Sequence, residues 1–184
     1  MYFVPATIGK PGRTGLLCSL VLLVAGCERQ TSPTGGAAVS PEGSLPANLI
    51  LSTEPSSALG VKDAKASSDE ELVVRGRIGG RVDPFVAGSA IFVLVDKSLK
   101  MCNERHGDGC RTPWDYCCEP REDLIAGMAT VQVVGDDGRP LNVDLRGRSG
   151  LEPGAEVVVV GRRAPGEDAG TLVIDARGIY VVKR

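Results

Sequence analysis

The chain has 184 residues, enough for one domain of ordinary size plus extensions. Aromatics make up only 4% while Gly and Pro number 24 and 12, which disfavours long helices and suits short strands joined by tight turns. A formal net charge of −2 and a pI near 5.5 argue against a general nucleic-acid binder, which needs cations to displace the counterions of phosphate.

The first element in chain order is an address. "LLCSLVLLVAGC", Leu16 to Cys27, follows Lys10 and Arg13, and no acidic residue precedes Glu28. A short basic region, an apolar run and small residues before a cut make a secretory signal. The run is too short to span a bilayer as a helix. Its end, Val24-Ala25-Gly26-Cys27, resembles the lipobox of bacterial lipoproteins, with Val24 where that family usually has Leu. The resemblance implies that residues 1–26 are a removed signal peptide and that Cys27 is lipidated. A protein so processed is anchored in the membrane of the bacterial cell envelope through Cys27 and lies outside the cytoplasm. Loss of Lys10 and Arg13 leaves a mature charge of about −4.

Residues 27–70 read as the lipidated cysteine and a disordered stalk rich in Ser, Pro, Gly and Ala. No period of 2 or 3.6 is sustained there, so little apolar surface is available to offset ordering entropy. "ANLILS" is its one apolar patch. As a flexible coil the stalk would hold the remainder of the chain roughly 35–40 Å from the membrane.

From Glu71 the pattern changes. "ELVVRGRIGGRV", "SAIFVLVD", "MATVQVVG", "PLNVDLRG", "AEVVVVGRR" and "TLVIDARGIYVVKR" are β-branched runs, several of them alternating apolar with polar. Turn signals separate them, and "VVGDDGRPL" predicts a hairpin whose Asp-Gly pair supplies the positive φ of its turn. "CCEPREDLIAGM" has room for one short helix. Residues 71–184 are therefore expected to be all-β, a small antiparallel barrel of five to six strands with a cysteine-rich insert at 97–123.

The runs "VVRGRIGG…FVLVD", "LEPGAEVVVVGRR" and "GTLVIDARGIYVV" resemble an OB-fold of the anticodon-binding-like group over most of residues 72–182. The insert after Asp96 departs from that pattern. OB-folds carry nucleic acids, oligosaccharides, metals or protein partners, so the resemblance implies an architecture and not a function.

The insert holds "CNERHGDGCRTPWDYCC", with four cysteines, the only histidine and the only tryptophan of the chain. In an exported protein, thiols meet an oxidising compartment and pair. Adjacent Cys117 and Cys118 form only a strained ring with each other. Two pairings are left: Cys102–Cys117 with Cys110–Cys118, or the nested Cys102–Cys118 with Cys110–Cys117, which is weakly preferred. Each bridge stabilises a folded loop by roughly 2–4 kcal/mol. The alternative is a metal or redox site for zinc or another transition metal on Cys102, His106, Cys110 and Cys117 or Cys118. In the disulfide reading no cofactor is expected and His106 is a solvated loop residue.

Trp114 and Tyr116 of "TPWDY" are candidate binding residues, rigid apolar bodies with polar tips. The competing role for Trp114 is to cap the barrel. Arg146, Arg148, Arg162 and Arg163 suggest a basic patch, or solvated strand edges protected by charge. "GRIGGRV" lacks the following helix of a phosphate loop, and "GDDG" lacks the further ligands of a calcium loop. One histidine and no Ser-His-Asp context argue against an enzyme. The leading expectation is a non-catalytic module presenting a stapled loop to an envelope protein or glycan. Nucleic-acid binding rests on fold analogy alone and opposes the acidic charge.

Overall fold

The computed structural model describes residues 44–107, 109–165 and 170–182. The signal peptide, Cys27 and the first part of the stalk lie outside these residues.

Among the described residues, six strands and two short helices carry the fold: β1 Leu59–Gly60, α1 Val61–Ala66, β2 Glu71–Ile78, β3 Ile91–Val95, α2 Arg121–Ala126, β4 Met128–Gln132, β5 Glu156–Arg163 and β6 Val173–Val181. The order β2-β3-β4-β6-β5 closes on itself because β2 also pairs with β5, giving a five-stranded barrel. Every pair within the ring is antiparallel except β4 with β6, which run parallel. The expected antiparallel barrel is thus mixed. The parallel pair arises because β5 reaches β2 first, so β6 fills the remaining gap beside β4.

Strand β2 shows how the closure is made. Leu72, Val74 and Ile78 point inward, while Val73, Arg75 and Arg77 alternate outward and are only partly buried. One edge lies along β5 from Glu71 to Arg77; the other is divided, with β1 opposite Val74 and Arg75 and β3 opposite Arg77 and Ile78. Sharing one edge between two partners lets a single strand serve both the ring and the extra strand. A register shift between Val160 and Gly161 bends β5 against β6.

The barrel core is apolar: Phe92, Leu94, Val131, Val157, Val159, Ile174 and Ile179 are buried in one cluster with the inward residues of β2. Leu49, Val61 and Ala64 belong to the same cluster. Residues 44–70 are therefore part of the folded body, and the boundary placed at Glu71 moves toward the N-terminus. Ile179 is bonded to two residues of this segment, its N donating to Leu49 O at 2.6 Å and its O accepting from Leu51 N at 2.9 Å. Composition concealed this segment because its apolar residues are few and come from an irregular stretch and a six-residue helix.

Of the six predicted strand runs, "PLNVDLRG" is not a strand. Its hairpin turn forms, with Gly135 N donating to Arg139 O and Gly138 at φ 75°, but residues 141–147 then run irregularly. Val143 and Leu145 still enter the core, which explains the apolar pattern without a ladder.

Candidate functional site

The insert leaves β3 and returns through α2 to β4. Strand β3, "IFVLV", is buried on both faces, as a continuous apolar run predicts. Phe92 and Leu94 fill the barrel, whereas Val93 and Val95 join Leu99, Met101 and Tyr116 in a second core outside it, with Leu124 and Met128 packed alongside. The insert therefore has a core of its own.

Tyr116 is the centre of that core. It is wholly buried, so it is a packing residue and not the exposed binding residue predicted. A β-carbon on Gly79 would come within 2.8 Å of the Tyr116 ring, so only glycine lets β2 run on beneath it. The hydroxyl is buried without a hydrogen-bond partner among the described residues. Its pKa is pushed up to about 12, chiefly by burial, with the nearby Arg77 guanidinium pulling the other way. Arg77 does not donate to that oxygen; it pairs with Glu104 at 2.9 Å, fastening the insert to β2.

Backbone bonds fix the remaining geometry. Cys102 N donates to Asp115 O at 2.8 Å and Asn103 N to Pro113 O at 3.1 Å, so the two arms of the cysteine loop lie side by side. Glu119 accepts from Lys100 N at 2.9 Å and from Arg105 at 2.6 Å. Its carboxyl is held below the usual range, the Lys100 backbone bond outweighing a smaller push upward from burial. At the root of the insert, Asp96 accepts from Lys62 N and Ser98 N, tying α1 to the end of β3. Burial alone would raise its pKa; these backbone donors win, and it lies below the ordinary value.

The four cysteines are brought together. Cys117 Sγ lies 3.4 Å from Cys102 Sγ, 3.3 Å from Cys110 Sγ and 3.9 Å from Cys118 Sγ. A disulfide needs about 2.05 Å, so these are contacts between thiols. Cys117 touches one partner from each predicted pairing, and the arrangement favours neither. The Cys117 thiol is raised above its ordinary pKa: the Cys110 contact lowers it, but contacts from Cys102 and Cys118 outweigh that. The metal-capable group assembled here is Cys102, Cys117 and Cys118, whose sulfurs lie within 4.8 Å of one another. Of the expected candidates, Cys102, Cys117 and Cys118 all join this group, whereas exposed His106 and half-buried Cys110 do not. The turn at Cys117 and Cys118 brings the second of the adjacent sulfurs in, while His106 lines a cleft beside Cys118.

Trp114 lies at the surface of the insert, half-buried, and donates from Nε1 to Val82 O at 3.1 Å. It is no member of either core cluster. Trp114, Pro113, Met101 and Asn103 line one side of a groove of 330 Å³; Glu152, Pro153, Gly154, Val181 and Val182 are among the residues of the other. Val82, two-thirds exposed, stands beside the ring through the same hydrogen bond. The far wall carries no signal in the sequence, because Pro153-Gly154 marks a turn and nothing in it marks proximity to Trp114.

The four arginines do not make a common patch. Arg146 pairs with Asp83 and lies over the Phe85 ring, Arg148 bonds Asp144 O, Arg162 approaches Asp175, and Arg163 bonds Ala64 O and Ser67 O. Each is engaged locally. Comparison of the chain with family models, curated proteins and solved structures gave no match.

Proposed function

We propose that the chain is a lipid-anchored, extracytoplasmic interaction module of OB type, non-catalytic, which docks a partner in the groove between its insert and the end of the barrel. The single observation that carries this reading is Trp114. An indole held by a hydrogen bond, flanked by Pro113 and an exposed Val82 and facing a groove of 330 Å³, is a preorganised anchor. Such an anchor loses little freedom when a partner binds. The closed ring β2-β3-β4-β6-β5 with its parallel β4–β6 pair supports the OB assignment, and the fold then positions the insert without prescribing the ligand.

Anchoring rests on the lipobox resemblance at Cys27. With residues 44–70 folded onto the barrel, at most residues 28–43 are left to separate the folded body from Cys27. An envelope protein or glycan is the class of partner to which such an anchor would present it. The mature charge opposes nucleic acid. In the oxidised protein, disulfides among Cys102, Cys110, Cys117 and Cys118 would close the loop beneath Trp114.

Crosslinking in envelope extract tests the reading. The wild-type chain should capture a partner that Trp114→Ala loses, while Cys27→Ala should lose fatty-acid labelling. Equal capture by wild type and Trp114→Ala would refute the groove; labelling that persists in Cys27→Ala would refute the anchor.

A further inference from the structure

The sulfurs of Cys102, Cys117 and Cys118 meet at one point. Two of the edges are 3.4 Å and 3.9 Å. Thiolates bound at about 2.3 Å to one ion lie roughly 3.8–4.0 Å apart, so small side-chain adjustments would seat an ion among them. Neighbouring cysteines ordinarily point their sulfurs apart. Here the chain turns at Tyr116–Glu119, closed by Glu119 N donating to Tyr116 O at 2.9 Å, and both sulfurs share the side of Cys102.

The support beneath the cluster is firm. Cys102 is wholly buried, fixed by its backbone bond to Asp115, and next in sequence to Met101 of the insert core. Cys117 and Cys118 are exposed, leaving the site open to loading from solvent. Lys100, Glu104, Arg105 and His106 line a cleft with Cys118, and Arg105 is itself paired with Glu119.

We propose that the reduced insert is a three-thiolate site for one soft monovalent cation of the cuprous kind, with Cys102, Cys117 and Cys118 as ligands. Thiolate donors select soft ions, copper(I) and zinc among them. A structural zinc site wants four ligands, whereas cuprous ion accepts three in a plane. Cys110, in contact with Cys117 alone among the three, and exposed His106 stand outside the ligand set. Binding replaces three thiol protons by one ion, with no electron transferred: three protons leave, and the site carries a net charge of −2. Lys100 and Arg105 at the cleft are matched by Glu104 and Glu119, so the charge of the loaded site is left to solvent at the exposed sulfurs. The proposal stands apart from the groove, since it does not depend on what docks against Trp114.

The test uses the full chain with Cys18→Ser and Cys27→Ser, so that the insert holds the only thiols. Reduced protein is titrated anaerobically with cuprous ion against a chromophoric chelator, with circular dichroism as the folding control. One ion per chain is expected. Cys117→Ser and Cys118→Ser, both at exposed positions, should each weaken it by roughly 100-fold, while Cys110→Ser and His106→Ala leave it within about threefold. Failure to hold copper against the chelator would overturn the proposal. So would an equal loss in Cys110→Ser or His106→Ala, or a preference for zinc that Cys110→Ser abolishes, which marks a tetrahedral site instead.

Discussion

Two apolar cores meet on the faces of one strand. On the inner face of β3, Phe92 and Leu94 join side chains from every strand of the barrel and from residues 44–70; on the outer face, Val93 and Val95 cluster with Leu99, Met101 and Tyr116, with Leu124 and Met128 at the margin. The inner core holds the chain in one piece. The outer one holds a loop to a wall. The difference teaches that the insert is a satellite: its failure should leave the barrel standing, whereas failure of the barrel leaves the insert nothing to pack on.

The sharpest way to break this picture is to remove residues before Glu71. Leu49, Val61 and Ala64 are buried to 1% exposure or less in the inner core. Burying the two larger side chains contributes roughly 1.5–3 kcal/mol each. Together with the Leu49–Ile179 backbone pairing, that is comparable to the whole stability of a small domain, about 5–15 kcal/mol. A chain beginning at Glu71 should fail to fold, while one beginning at Ser44 should melt cooperatively, as followed by circular dichroism. A stable fragment starting at Glu71 would show that residues 44–70 are an accessory. Limited proteolysis should likewise stop near residue 44.

The second effect is smaller and confined to the insert. Tyr116→Ala removes the centre of the outer core and should cost roughly 3–5 kcal/mol if insert and barrel unfold together. If the insert is a true satellite, hydrogen exchange should rise across residues 97–123 in this variant while β2, β5 and β6 stay protected. Uniform loss of protection would mean that the two cores are one cooperative unit.

Legibility in the sequence divides along the same line. Alternation made β2, β5 and β6 readable, and the apolar run "IFVLV" marked a strand, because those patterns are local. The outer core has no pattern, being built from single residues at 99, 101 and 116 that only the path of the loop brings together. Tyr116 consequently looked like a surface residue beside Trp114, although two positions in a loop need not share an environment. Leu49 was hidden in the same way, one apolar residue inside a composition that reads as tether. The meeting of Cys102, Cys117 and Cys118 was foreshadowed by their number, but membership depended on where the path of the loop places each sulfur.

A third prediction turns on the Tyr116 hydroxyl. Its folded-state pKa lies near 12, above the ordinary value of 10, so the folded protein disfavours the phenolate. The stability tied to the neutral form is fully present below pH 10 and is lost as pH climbs toward 12, amounting to roughly 3 kcal/mol at most. Tyr116→Phe keeps the ring and removes an oxygen that has no partner among the described residues. At neutral pH the change should be near neutral or slightly stabilising. Between pH 10 and 12 the melting temperature of the variant should fall less than that of the wild type. Parallel decline would show that other groups govern alkaline unfolding and that the hydroxyl is solvated.

The smallest stability effect belongs to Trp114, and its smallness is the point. The ring is half-buried and outside both cores, so most of what Trp114→Ala removes is surface contact and the bond to Val82 O. Losing one neutral hydrogen bond and part of an aromatic face should cost about 1–2 kcal/mol, well below the cost at Tyr116 two residues away. Trp114 is the only tryptophan, so its emission reports on this site alone. A partly accessible ring should be quenched by iodide in the free protein and become protected when a partner fills the groove. Strongly blue-shifted, unquenchable emission in the free chain would place the indole in the outer core. The groove would then be a seam between insert and barrel, and the contrast between a packing tyrosine and a presenting tryptophan would fall.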